Sequence, residues 1–220
     1  MPLIGSSIVS KKAATGAGYL LYDVKCGSEA FPKTLKEARE LAGLLVRLSR
    51  SLGVEASAMV TDMDEPLGFA VGNALEIRES IRLLRNEISP VDLREMTHIV
   101  AARLLQLKGF SKPEDVVEEA ISSGAAYEKF REFVTAQGED AKVLENLPVS
   151  DKMREVTAPR AGRVAQFKAL GVGRAALLLG AGRKRKGDKV DPEAGVEVLP
   201  RSEMRSRRAS RWRGCMGGGT

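Results

Sequence analysis

Cysteine and histidine are almost missing from this sequence. Two cysteines, Cys26 and Cys215, and one histidine, His98, occur in 220 residues. That excludes a disulfide framework and leaves no Cys/His spacing suited to zinc. Nothing near Cys26 supplies a base that would make it a nucleophile. His98 falls within an amphipathic helical pattern, where a structural role is the simpler one. Aromatic residues make up only 5% of the chain, so the core must be built from Leu, Val and Ala. No apolar run reaches the roughly 18 residues that a transmembrane helix needs, and no apolar secretory segment opens the chain. A reducing, cytoplasmic setting is expected.

Charge of one sign is also lacking over most of the chain, despite a net charge of +6. Residues 201–220 hold six arginines (Arg201, Arg205, Arg207, Arg208, Arg211 and Arg213) against the single acid Glu203. The rest has 29 basic and 28 acidic residues. The body therefore has no bulk attraction for nucleic acid, and basicity is a property of a tail.

What is present is an alternation of strand and helix patterns. Residues 2–15 read as a helix, with Pro2 in the first turn and Gly16 and Gly18 at its end. Residues 18–24 read as a buried strand. Residues 34–53 form the strongest amphipathic pattern, with Leu35, Ala38, Leu41, Leu45 and Leu48 on one stripe and Gly53 as the stop. A strand over 54–63, a loop running into a helix over 65–85, and a helix over 89–109 follow. Residues 113–137 read as two short helices broken near Gly124. This order predicts an α/β class with a parallel or mixed sheet. Ligands would sit at the strand-to-helix loops 23–34 and 61–68. Residues 156–164 read as β-like, 171–188 as a small-residue helix ending in a basic turn, and 156–200 as a small β-rich subdomain.

Two groups of residues carry chemistry. Ser7 and Lys11, four apart on a helix, share a face. A hydroxyl and an ammonium on one face can hold a carbonyl oxygen and a ring N–H of a flat polar ligand. Equally, Lys11 and Lys12 can simply complement the helix dipole. The second group is "TDMDEPLGFAVGNALEIRE", residues 61–79. Its carboxylates Asp62, Asp64, Glu65, Glu76 and Glu79 surround a glycine-containing loop. Loop carbonyls plus a carboxylate can make an oxygen cage for a hard cation. The alternative is a helix N-terminus carrying favourable acids.

Five stretches together resemble the thymidine and pyrimidine-nucleoside phosphorylase family. They are "PLIGSSIVSKKAATG", "DVKCGSEAFPKT", "ARELAGLLVRL", "TDMDEPLGFAVGNALEIRESI" and "LGAGRKRKGDKVDPEAGV". The fourth is highly specific, and together they cover roughly residues 2–199. The resemblance implies a mixed-sheet α/β domain remnant, preceded by one helix of a helical domain and followed by a small α+β subdomain. The implied boundaries are 1–17, 18–150, 151–200 and a tail at 201–220. It implies that Ser7 and Lys11 hydrogen-bond a pyrimidine, that Ile4 lies beside the base, and that Thr15 to Gly18 form a hinge. Glu79, with the carbonyls of Leu67 and Ala70, matches part of a potassium site. The expected substrates are a pyrimidine nucleoside and phosphate, with no organic cofactor. A cytoplasmic homodimer that binds neither membrane nor nucleic acid is expected.

Departures from the family pattern shape the expectation. Most of the helical domain, the phosphate loop, and the arginine that joins Ser7 and Lys11 on the base have no counterpart here. The chain alone is therefore expected to lack phosphorolysis. In "GSEAFPKT", Glu29 stands where the family usually has Gly, and Pro32 where it has Met. From Pro200 onward the expected β segment gives way to arginine-rich sequence. A GC-rich back-translation read in another frame gives "PVGDAVPEGEPLAGLYGGG", so 201–220 reads as a frameshifted tail. Competing readings are a degenerate non-enzymatic fragment, an RNA-binding protein acting through the tail, and the AMP-phosphorylase branch.

Overall fold

The computed structural model describes residues 2–156, 164 and 166–198. It is an α/β chain, as the strand–helix alternation predicts. Two compact groupings share the chain. Among the described residues, 2–64 and 96–117 fall in the first; 65–95 and those from 118 to 198 fall in the second.

The first grouping is built on a β–α–β unit. Strand β1 (Tyr19–Cys26), helix α2 (Leu35–Ser51) and strand β2 (Glu55–Asp62) follow helix α1 (Pro2–Ala13). The two strands pair in parallel from Tyr19 opposite Glu55 to Cys26 opposite Asp62. Helix α2 starts where it does because Thr34 and Glu37 form a capping box. The Thr34 hydroxyl accepts the Glu37 N–H at 3.3 Å, and the Glu37 carboxylate accepts the Thr34 N–H at 3.1 Å. Of the predicted stripe, Ala38, Leu41 and Leu45 are buried against Tyr22, Val24 and Ala56 together with Ala42, Leu48 packs on this core, and Leu35 is exposed. Val9 of α1 closes the same core, with Ile4 and Ile8 packed on it. Alternation along the strands puts Leu20, Tyr22, Val24 and Cys26 on that side. Leu21, Asp23 and Lys25 therefore lie on the opposite face.

The second grouping holds strand β3 (Ala70–Val71), helix α3 (Asn73–Leu84), helix α6 (Ala125–Ala136), a 3-10 turn at Ala141–Glu145, helix α7 (Ala169–Leu179) and strand β4 (Val196–Glu197). Helices α4 (Val91–Leu107) and α5 (Pro113–Ser122) cross the boundaries between the groupings. β3 pairs antiparallel with β4, Ala70 opposite Glu197 and Val71 opposite Val196. The two sheets are separate, so no single mixed sheet forms among the described residues. The backbones cross closely beside this pair. A Cβ on Gly72 (φ 154°) would lie 2.5 Å from the Ala194 carbonyl oxygen, and one on Gly195 would lie 2.6 Å from that of Val71. Only glycine fits this crossing.

The described residues of the small C-terminal region mix helix and strand. They hold α7, a basic turn closed by Asp188, and the two-residue β4. Most of the expected strand at 156–164, and the tail 201–220, lie outside the described residues. No helix among the described residues is long and apolar enough to cross a membrane.

Candidate functional site

Helix α1 presents the first group of site residues. Ser7 and Lys11 are both exposed and share a face, as their spacing requires. Ile4, one turn before Ser7, is half-buried because it packs onto the core. An apolar side chain, a hydroxyl and an ammonium thus run along the helix in that order. The helix ends at Ala13, and the Thr15 hydroxyl donates to the Lys12 carbonyl at 2.7 Å. Lys11 and Lys12 occupy the last turn, where the helix dipole favours cations.

The carboxyl ends of the parallel strands are tied together. The N–H and the hydroxyl of Ser28 both donate to Asp64 Oδ1 at 2.8 Å. Met63 N–H donates to the Cys26 carbonyl at 2.8 Å. The loop carrying Glu29 and Pro32 closes on itself, with Ala30 N–H donating to the Gly27 carbonyl at 3.1 Å. Glu29 is exposed and Pro32 buried, so neither departure opens the loop.

The acid-rich stretch resolves into separate local roles rather than one ring. Asp62 accepts the Asp64 N–H, Asp64 holds Ser28, and Glu76 accepts the Gly72 N–H at 3.0 Å. Glu79, on α3, is the member that reaches the 67–70 loop. Its carboxylate accepts the N–H of Phe69 at 2.9 Å and that of Ala70 at 3.5 Å. Asp92, in the first turn of α4, carries no signal in the sequence that singles it out. It accepts the Gly68 N–H at 3.2 Å and is itself buried. Three successive loop N–H groups therefore point at two buried carboxylates. Because a trans peptide sets its C=O opposite its N–H, the Leu67 carbonyl is turned away from Asp92. Gly68 (φ 72°) allows this turn, and a Cβ there would lie 2.3 Å from the Glu79 carboxylate.

The charge balance of this loop is informative. Burial is the main cause pushing the Glu79 carboxyl above its usual range. The N–H groups of Phe69 and Ala70 oppose this, and the negative charges of Asp92 and Glu197 add to it. A buried carboxylate beside two further acids is a setting that a bound cation stabilises. Among the described residues, no cluster of three or more His, Cys, Asp or Glu could hold a metal ion by side chains alone. A cation here would have to use carbonyl oxygens as well. The Glu79 carboxylate and the 67–70 loop are oxygen donors of the type that hard cations take.

Residues 163–202 match the family model of the pyrimidine nucleoside phosphorylase C-terminal domain. The chain is 40% identical to the pyrimidine-nucleoside phosphorylase of Bacillus subtilis (strain 168), over 89% of this chain and 47% of that protein. It is 41% identical to the enzyme of the same name from Staphylococcus aureus (strain USA300), with the same coverage. The chain thus spans about half the length of the curated relatives it matches. The resemblance carried by the five motifs holds across nearly the whole chain.

Proposed function

We propose, from this similarity to pyrimidine-nucleoside phosphorylases, that the chain is the C-terminal portion of such an enzyme and carries its base-binding helix. The observation that supports the reading most is the 40% identity sustained over 89% of the chain. The reaction is phosphorolysis: a pyrimidine nucleoside and phosphate give the free base and a pentose 1-phosphate. The C–N bond breaks, its electron pair leaves with the base, and a phosphate oxygen bonds to the sugar carbon.

Negative charge grows on the departing base as that bond lengthens. Lys11 supplies an ammonium to a base carbonyl, an interaction stronger in the transition state than in the ground state. Ser7 fixes the orientation of the base through a neutral hydrogen bond, and Ile4 contributes apolar contact along the same helix. The Leu67 and Ala70 carbonyls and the Glu79 carboxylate would hold a potassium ion, whose charge neutralises the buried acids and stiffens the loop. The working protein is read as a cytoplasmic homodimer with no organic cofactor. The domain boundaries 1–17, 18–150 and 151–200 belong to this same reading, and 201–220 is a frameshifted tail with no nucleic-acid role.

The test is complementation. The chain alone should give background rates with thymidine, uridine and phosphate, because the nucleophile is not positioned. Joined to the segment that its relatives carry before it, it should turn over. In that joined enzyme, Lys11→Ala should lower kcat/KM by roughly 2–4 kcal/mol and Ser7→Ala by about 1–2 kcal/mol. A Lys11→Ala enzyme within twofold of the parent would leave Lys11 as a helix-end cation only.

A further inference from the structure

A second ammonium lies on the face of the parallel strand pair that turns away from the core. Lys25 Nζ donates to Asp23 Oδ2 at 2.5 Å and to Thr61 Oγ1 at 3.1 Å. The Thr61 hydroxyl donates in turn to Asp23 Oδ1 at 2.5 Å. The three side chains therefore close a ring in which both Asp23 oxygens are occupied. Parallel register makes the ring possible: Lys25 stands directly opposite Thr61, and Asp23 is two residues back on the same face. Thr61 is only 2% exposed, whereas the Lys25 side chain is 43% exposed.

A solvated lysine on a strand does not need a buried threonine to hold it. Here the ammonium is fixed by two acceptors, and its tetrahedral geometry leaves a third N–H directed away from them. Fixing it beforehand removes much of the side-chain entropy that an exposed lysine loses when it meets a ligand. The ring also lies next to the carboxyl ends of β1 and β2, the edge at which open α/β sheets bind ligands. Asp23 lowers the net charge, but its oxygens face Lys25 and Thr61, so the ammonium is the group with a donor to spare.

We propose that Lys25, held by Asp23 and Thr61 at the carboxyl end of the strand pair, is an anion-binding residue for a phosphate group. The group is either orthophosphate or the phosphate of a pentose 1-phosphate. This rests on the phosphorolysis reading, which requires both anions but places its main phosphate contacts in sequence that this chain does not match.

The test uses the 220-residue chain and needs no turnover. Orthophosphate and ribose 1-phosphate are titrated separately, with binding followed by calorimetry and by the Lys25 Nζ signal in NMR. Expected is saturable binding of at least one of them in the millimolar range, weakened fivefold or more by Lys25→Ala and kept within twofold by Lys25→Arg. Thr61→Val, which keeps the charge but frees the lysine, should weaken binding two- to threefold. Binding of orthophosphate assigns the site to the nucleophile, and binding of ribose 1-phosphate alone assigns it to the product; either supports the proposal. No saturable binding of either ligand by a chain whose amide spectrum shows it folded overturns it. So does binding that Lys25→Ala leaves unchanged, or that Lys11→Ala removes instead. Failure of turnover in the joined enzyme would count against the phosphorolysis reading without touching this binding result.

Discussion

At the residue scale, the most constrained polar contact in the core joins Tyr22 and Ser49. Their hydroxyl groups lie 2.7 Å apart, and the Ser49 hydroxyl donates to the Leu45 carbonyl at 2.9 Å. The single Ser49 hydroxyl proton goes to Leu45, so Tyr22 is the donor in the first contact. The two partners are not equivalent on removal. Tyr22→Phe takes away a donor and leaves Ser49 bonded to the backbone, costing about 1 kcal/mol. Ser49→Ala strands the Tyr22 hydroxyl at a buried site and should cost more, on the order of 2 kcal/mol. Urea denaturation of both variants checks the ranking; equal costs would mean that the tyrosine finds water. The same scale shows what the sequence could convey. Ser7 and Lys11 were legible because four residues on a helix fix a shared face. The pairing of Lys25 with Thr61 was not, because it depends on a strand register that local spacing does not set. Nor was the hydrogen bond from Gly68 to Asp92, whose partners lie 24 residues apart in the chain.

At the scale of the element, α2 was readable from its amphipathic period and its terminal glycine, which agreed, whereas its capping box emerged from the structure. Its capping box also carries a pH signature. Backbone N–H groups of Thr34 and Lys33, followed by the Thr34 hydroxyl, hold the Glu37 carboxyl below the usual carboxylate range. A carboxyl depressed in the folded state contributes stability above its unfolded pKa and loses it as pH falls through the folded value. Stability should therefore drop on acidification from the ordinary carboxylate range downward. Glu37→Gln should flatten that part of the curve while leaving the neutral-pH helix content nearly unchanged. Parallel acid titrations of melting temperature would show this, and identical slopes would refute it. Core positions on the same helix behave differently: Leu45→Ala should cost roughly 2–5 kcal/mol at every pH, because it opens a cavity at a residue only 2% exposed. Strands β3 and β4 were not legible. Two residues carry no period, and what defines them is a partner far away in sequence.

For the whole molecule, the glycine crossing beside β3 and β4 decides whether the second grouping closes. Gly72→Ala should destabilise it by roughly 2–4 kcal/mol, because the new methyl meets a backbone carbonyl that cannot step aside. Amide exchange should then rise at Phe69, Ala70 and Val198 while the β1–α2–β2 amides stay protected. Uniform loss of protection would show that the chain unfolds as one body. The tail poses a separate question: resequencing the locus should reveal a one- or two-base indel near codon 200. An intact arginine frame, with RNA binding that disappears on deletion of 201–220, would give the tail a function of its own.

The pairing of β3 with β4 also sets a timetable for synthesis. The β1–α2–β2 unit is complete once residue 62 has been made, and its contacts span short stretches of chain. Val71 must wait for Val196, about 125 residues later, and closing a loop of that length costs about 4 kcal/mol of chain entropy. On the ribosome the first strand pair can therefore be finished while β3 and the neighbouring acids are still without their last strand. Any change that ends translation before residue 196 leaves a folded N-terminal unit attached to an unfinished one, a product suited to proteolysis rather than to accumulation.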